Sequence, residues 1–306
     1  MKVGVIGLGD IARKAYMPVL GSKSGYEWHL YTRNQQTLEA LGAQYRISNL
    51  HSSLDSLLQS GIKGALVHTA TDAHFDIVET LLQHGIHVYV DKPITMYYKQ
   101  SERLVELAEE KGLLLQVGFN RRFAPVYRQL KEVAAPSMIL MQKNRKSLPD
   151  ELRRFVVEDF IHVVDTLRFL FPYPVADLQV NGLKKDGLLY QAVFQLIAAT
   201  GEIAIGIMNR DSGTTEEKVE VMSAGEKRVA YNVSDLVIQQ DRDSTHVGSS
   251  DWEPTLHKRG FEQVITDFLE ALSGDKAPFI SARDALKTHE LCERIVEKLQ
   301  ALPDKS

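Results

Sequence analysis

Three groups of residues have the types and spacing to do chemistry. Lys92 stands in Val88-Tyr89-Val90-Asp91-Lys92-Pro93, at the end of a short apolar run. If that run is a parallel strand, Lys92 puts an ammonium at the carboxyl edge of the sheet, where ligands of open α/β sheets lie. Gly7-x-Gly9-x-x-Ala12 follows another apolar run and opens a helical stretch. Its first glycine permits a tight turn, its second lets backbone approach a pyrophosphate, and Ala12 is small enough for helix to pack on strand. Amides at that helix start, among Asp10, Ile11 and Ala12, then receive phosphates. The third group is Glu158, His162 and Asp165, spaced i, i+4, i+7 in a stretch otherwise rich in Phe, Val, Ile and Leu. Such spacing puts all three on one helix face. A polar stripe on a buried helix suits a cleft; the plainer alternative is a core histidine bonded to a carboxylate.

The elements that must position these residues are legible in the hydrophobic pattern. Up to residue 120, strands at Val3–Ile6, Trp28–Tyr31, Ala65–His68, Val88–Val90 and Leu113–Val117 alternate with helical stretches. These are Ile11–Leu20, Gln35–Leu41, Ser53–Gln59, Phe75–His84 and Lys99–Lys111. Alternation of this kind predicts a doubly wound parallel sheet, an α/β Rossmann domain over residues 1–120. The pattern then changes. A strand at Ser137–Arg145 and a long apolar helix at Phe155–Phe171 precede strands about ten residues apart, among them Gln191–Ala198, Ile203–Asn209 and Lys218–Met222. Two helices, near Leu256–Leu272 and Ser281–Gln300, close the chain. Residues 121–306 therefore read as an α+β domain with an open, mainly antiparallel sheet, whose last helix is free to pack back on the first domain. Ser244–Ser250 reads as a mobile loop.

Composition excludes several classes. The chain has 306 residues, 36 Lys and Arg against 40 Asp and Glu, and a net charge of −4. That length suits two domains, and the charge offers no basic face for nucleic acid. No stretch is apolar for long enough to span a membrane. The single cysteine, Cys292, cannot form an intrachain disulfide. A cytoplasmic protein is the expectation. The histidines, His84 and His87 included, lack the clustering of a zinc site, so no metal is expected.

Gly7-Leu8-Gly9-Asp10-Ile11-Ala12, the run Glu79–Pro93 with its Gly85-Ile86-His87-Val88 and Asp91-Lys92-Pro93, and Val117-Gly118-Phe119-Asn120-Arg121-Arg122-Phe123 together resemble the Gfo/Idh/MocA family of nicotinamide oxidoreductases, and within it the MviM-like branch. The resemblance implies that Lys92 is catalytic and that its peptide to Pro93 is cis. It implies that His162 moves a proton, with Glu158 at the position of the family's usual Asp. It also places Thr69, His74 and Asp91 with the cofactor. The chain departs in having Asp91 for the usual Glu, and Thr69-Ala70-Thr71 where the family favours Thr-Pro-Asn.

Cofactor choice is read at the tip of the second strand, Leu30-Tyr31-Thr32-Arg33-Asn34. NAD-selective sites place an acid there for the ribose 2′-hydroxyl. This chain has none, so Thr32 and Arg33 point to NADP(H) over NAD(H), Arg33 pairing with a 2′-phosphate. The plainer reading is a solvated surface arginine. Asn120, Arg121, Lys143 and Trp252 are weaker candidates for substrate contact, and Arg122 for an ion pair between domains.

The resemblance implies hydride transfer between the nicotinamide and a carbon of a sugar, cyclitol or related polyol. His162 is the expected base, and Lys92 the cation that stabilises alkoxide character. Two other functions fit the same residues: a dinucleotide-binding regulator without turnover, and a glycoside-cleaving enzyme assisted by NAD. Neither face of the Ile203–Asn209 strand reads as solvated, which predicts a homodimer or a dimer of dimers.

Overall fold

The computed structural model describes residues 1–248 and 250–305. In chain order the strands are β1 (Lys2–Ile6), β2 (Glu27–Tyr31), β3 (Asn49–His51), β4 (Gly64–Val67), β5 (His87–Val90), β6 (Leu115–Val117), β7 (Met138–Asn144), β8 (Val175–Lys185), β9 (Leu188–Ala198), β10 (Ile203–Asn209), β11 (Glu216–Met222), β12 (Lys227–Tyr231), β13 (Asp235–Gln240), β14 (Asp243–Val247) and β15 (Asp304–Lys305). The helices are α1 (Met17–Leu20), α2 (Gln35–Tyr45), α3 (Leu54–Gln59), α4 (His74–Gln83), α5 (Tyr98–Glu110), α6 (Pro125–Lys131), α7 (Leu152–Arg154), α8 (Ile161–Leu170), α9 (Thr255–Lys258), α10 (Phe261–Ser273) and α11 (Ala282–Gln300). Ala12–Tyr16 and Phe155–Phe160 form wide π turns that lead into α1 and α8.

The first compact unit comprises residues 1–118 with 261–287. Its sheet has the order β3-β2-β1-β4-β5-β6, all parallel. The strand order reverses at β1, whose neighbours are β2 and β4. That is the switch point where such sheets open a crevice at their carboxyl ends. β1, β4 and β5 are buried on both faces, from Val3 through Ile6, Ala65 through Val67 and Val88 through Val90. This explains their continuous apolar runs. The short strand β3 was not visible in the pattern, because Asn49, Leu50 and His51 at the sheet edge are only half-buried.

Residues 261–287 belong to this unit although they follow the other in sequence. The sequence placed everything after residue 120 in one domain and allowed only the last helix to return. Helix α10 is held by its apolar face: Phe261 and Phe268 meet the rings of Tyr16 and Tyr89 edge-on, at 5.6 and 5.5 Å between centroids. The Gln116 amide donates to Asp267 at 3.0 Å. The single helix expected near Leu256–Leu272 is broken at Gly260, whose φ is +79°.

The second unit comprises residues 119–260 and the chain from Thr288 on. Its nine-stranded sheet runs β14-β13-β12-β11-β7-β10-β9-β8-β15. Pairing is antiparallel except between β7 and β10 and between β8 and β15. Helix α8 lies over β7 and β10. Ala204 and Met208 of β10 are buried, whereas Ile203, Ile205 and Ile207 are half-buried. The expected loop at Ser244–Ser250 is in part strand: Ser244 to Val247 pair with β13. Residue 249 lies outside the described residues.

Candidate active site

The crevice of the first unit is a groove of about 310 Å³, lined by the turns that follow β1, β2 and β4. Gly7, Leu8 and Gly9 form its floor, Tyr31, Thr32 and Arg33 one wall, and His68, Thr69 and Ala70 the other. Gly7 has a φ of +86°, and a Cβ on it would lie 2.6 Å from the Thr69 backbone nitrogen. Only glycine lets the β1 turn pass that close to β4. A Cβ on Gly9 would meet nothing within 4 Å, so it would project into open space that a ligand's phosphates can use. Ala12 is fully buried behind the turn, as its packing role requires.

Of the residues expected at the cofactor, Gly7, Gly9, Thr32, Arg33 and Thr69 share this groove. Asp10 and Ile11 are exposed at the turn, and the Asp10 carboxylate pairs with Lys14 at 2.9 Å. Only their amides are placed for a phosphate. His74 does not line the groove. It is buried below it, with Nδ1 2.9 Å from the Pro93 carbonyl and Nε2 3.1 Å from the Thr69 carbonyl. It therefore ties the segment after Lys92 to the turn carrying Thr69. Asn34, at the tip of β2, spends its side-chain oxygen on the Thr37 amide as the cap of α2. The polar groups that β2 offers to the groove are thus Thr32 and Arg33.

One residue of the groove wall, His68, was not anticipated. His68 is 3% exposed, its ring stacks on Tyr16 at 3.8 Å between centroids, and neither ring nitrogen has a partner. Burial, aided by His74, pushes its pKa down to about 3, so it is a neutral imidazole. Thr69 Oγ1 is likewise buried and unpartnered. Buried polar atoms without partners are costly in a folded chain unless a ligand satisfies them. Together with the glycine floor they fit a polar dinucleotide.

Lys92 follows β5, at the same carboxyl edge, and its peptide to Pro93 is cis. Asp91 lies beneath it. Its Oδ1 accepts from the Lys92 amide at 2.8 Å and from the Tyr16 hydroxyl at 3.2 Å. The Tyr89 hydroxyl stands 2.9 Å from that of Tyr16. Because Tyr16 gives its proton to Asp91, Tyr89 donates to Tyr16. Burial raises the Asp91 pKa against the pull of Lys92 and His74, and raises both tyrosines well above their usual range. Gly118 makes room: a Cβ there would lie 2.6 Å from the Tyr89 hydroxyl.

His162 belongs to the second unit, one residue into α8. Its Nδ1 is 2.7 Å from an Nη of Arg121. Arg121 is gripped by both oxygens of Glu217, at 2.8 and 2.7 Å, and the Tyr127 hydroxyl donates to the same carboxylate at 2.6 Å. Burial would raise the Glu217 pKa, but the Arg121 guanidinium outweighs it and holds the carboxyl down to about 2. Beside this group Lys143 and Arg145 both bind Asp159. Burial, reinforced by Arg121, brings the Lys143 ammonium down to about 7. Asp159 opposes burial with these two cations and stays well below the usual carboxylate range.

Several expectations change at this point. Glu158 and Asp159 lie on the π turn before α8. Asp159, the acid next to Glu158, is the one that pairs with Lys143 and Arg145. Asp165 binds Arg122 through both oxygens, at 2.9 and 2.7 Å, and accepts from Thr288 at 2.8 Å. The Arg122 pair with Asp165 is thus internal to the second unit. The Asn120 amide donates to the Arg259 carbonyl at 2.8 Å, and the side chain is buried, so it serves the loop at Gly260. Arg121 and Lys143 are buried at 6% and 2% exposure, with their charges already paired. Trp252 is 92% exposed and fills no core. Among the described residues no group of His, Cys, Asp and Glu is arranged to hold a metal, and no helix is long and apolar enough to cross a membrane.

Comparison with known proteins accords with this geometry. Residues 1–119 match the family described as an oxidoreductase family with an NAD-binding Rossmann fold, and residues 125–242 match the YceM-like C-terminal domain. The chain is 32% identical to a relative named YceM from Salmonella typhimurium, over 98% of this chain and 97% of that one. It is 33% identical to a Gfo/Idh/MocA family oxidoreductase of Vibrio cholerae, whose crystal structure superposes with a TM-score of 0.90 over 97% of each chain. A myo-inositol 2-dehydrogenase of Thermotoga maritima is 22% identical over 93% of this chain and 92% of its own length.

Proposed function

Since the chain belongs to the Gfo/Idh/MocA family of oxidoreductases, we propose that it transfers hydride between a nicotinamide dinucleotide and a carbon of a sugar, cyclitol or related polyol. The observation that carries this reading is the groove at the β1–β4 switch point, with its glycine floor and unpartnered His68 and Thr69, at the sheet edge that also ends in Lys92. The nicotinamide, when bound, supplies the hydride acceptor or donor. The residues supply position and charge. Gly7 and Gly9 admit the pyrophosphate, and amides of Asp10, Ile11 and Ala12 receive it. Lys92 acts on the oxygen of the reacting carbon, with Asp91 and His74 holding the segment that carries it. His162 is the base that moves the substrate proton, and Glu158 orients it. The myo-inositol 2-dehydrogenase relative favours a polyol.

We further infer NADP(H) as the preferred cofactor, from Thr32 and Arg33 in the groove and the lack of an acid at the tip of β2. We infer a cytoplasmic location, and assembly into a dimer or a dimer of dimers through the half-buried face of Ile203, Ile205 and Ile207. Light scattering that gives a monomer mass at micromolar concentration overturns the assembly. The function itself is tested by incubating purified protein with NADP⁺ and a panel of sugars and polyols. Reduction of NADP⁺ with at least one polyol is expected; no reduction of NADP⁺ or NAD⁺ across the panel contradicts it.

A further inference from the structure

We propose that the second unit carries a subsite for an oxyanion, a carboxylate or phosphate borne by the sugar or polyol substrate, with Arg259 as its binding residue and Arg145 as its second cation. The proposal deepens the reading above and rests on it for the reaction, though not for the binding. Four cations gather in this part of the unit: Arg121, Lys143, Arg145 and Arg259. Glu217 answers Arg121 with both oxygens, and Asp159 answers Lys143 and Arg145 together. Arg145 bonds Asp159 through Nε and one Nη, and among the described residues its other Nη has no partner. Arg259 has no acid at all. Among the described residues its guanidinium makes no hydrogen bond and no ion pair.

The backbone fixes Arg259 at this place. Its carbonyl accepts from the Asn120 side-chain amide at 2.8 Å. The next residue, Gly260, has a φ of +79°, and a Cβ on it would lie 2.2 Å from the Asn120 carbonyl oxygen and 2.7 Å from the Ala124 nitrogen. Only glycine lets the chain after α9 press so close to the turn Asn120–Phe123. That turn also carries Arg121, which reaches His162 Nδ1 at 2.7 Å. An anion on Arg259 is thereby held near the residue that moves the substrate proton. The cluster is graded in depth. Arg121, Lys143 and Glu217 are buried, whereas Arg259 is half-buried and the Arg145 side chain is 34% exposed. The two cations with unpartnered donors are therefore the two that solvent, and a ligand, can reach.

A half-buried guanidinium among other cations is unfavourable until an anion reaches it. Burial lowers the Arg259 pKa, and repulsion by Arg121 and Arg145 adds to this against the pull of Glu217. A carboxylate or phosphate accepts two parallel N–H bonds from one guanidinium, a charge-assisted pairing that neutral hydroxyls do not match. A neutral polyol would leave the excess positive charge in place. The substrate class is accordingly an acidic sugar or polyol: an aldonate, a uronate or a sugar phosphate.

The test offers the full chain matched substrates, neutral and charged: glucose against gluconate, glucuronate and glucose 6-phosphate, and myo-inositol against its monophosphate. At least one charged member should exceed its neutral counterpart in kcat/KM by about tenfold to a hundredfold, the worth of a charge-assisted bond. Comparing carboxylates with phosphates tells which oxyanion is read. Arg259→Met should remove that margin, mainly through KM, without lowering the melting temperature. Arg259→Lys, which keeps the charge and loses the fork, should recover part of it. A neutral best substrate, or an Arg259→Met variant that loses equally on charged and neutral members, overturns the proposal. If no member of the panel turns over, the proposed function fails, and titration with inorganic phosphate then decides the subsite. Phosphate binding that is lost in Arg259→Met and kept in Arg33→Ala supports it. Binding that follows Arg33 instead, or is absent at millimolar phosphate, overturns it.

Discussion

Glu217 holds Arg121 with both carboxylate oxygens, at 2.8 and 2.7 Å, where both side chains are almost entirely buried. A buried pair adds little over an apolar pair of the same shape, but breaking one partner is costly, about 3–5 kcal/mol. The pair thus functions as a fixed mount for whatever Arg121 touches, and what it touches is His162.

Glu217→Gln should therefore destabilise the chain near neutral pH by an amount in that range. The sign with pH follows from its pKa, held down to about 2 against an ordinary 4.5. A carboxyl lowered on folding contributes stability that is full above about 4.5 and is lost as pH falls toward 2. Parent stability should drop steeply across that window, and the Gln variant should show a flatter profile there. Chemical denaturation at a series of pH values measures both. Identical slopes in the two proteins would contradict the assignment.

Arg33→Ala tests cofactor choice. A charge-assisted bond to a 2′-phosphate is worth about 1.5–3 kcal/mol, so NADPH binding should weaken by roughly ten- to a hundredfold. NADH binding should change little. Calorimetric titration of both cofactors checks this, and tighter binding of NADH by the parent rules the preference out.

Gly7→Ala tests the groove floor. Its Cβ would meet the Thr69 backbone at 2.6 Å, on a residue with φ of +86°. The turn must shift away from β4, and dinucleotide affinity should fall by more than about tenfold, with a lower melting temperature. Unchanged affinity would mean that the ligand does not use this turn.

Much of this was legible in the sequence, for identifiable reasons. β1, β4 and β5 announce themselves because strands buried on both faces are continuously apolar, and the glycine turn because only glycine tolerates its approach to β4. The tie between Lys92, Asp91 and the tyrosines was not, since Tyr16 and Tyr89 are 73 residues apart and read as ordinary core. The π turn that carries Glu158 and Asp159 was not legible either, because a π turn leaves no mark in an apolar periodicity. Glu217 left a usable signal that went unread. It shares strand parity with Val219 and Val221, which are buried, so a carboxylate was facing inward and needed a cation. That cation, Arg121, had been taken for a substrate contact. The return of α10 to the first unit depends on ring contacts between Phe261, Phe268 and distant tyrosines, which no local pattern records.

The central claim is that Lys92 acts on the reacting oxygen in a nicotinamide oxidoreductase. It is tested most directly by measuring cofactor affinity and turnover together in the parent and in Lys92→Ala, on a polyol that the parent oxidises. The account predicts nearly unchanged affinity for NADPH and a fall in turnover of about a hundredfold or more. A Lys92→Ala protein as active as its parent would contradict it.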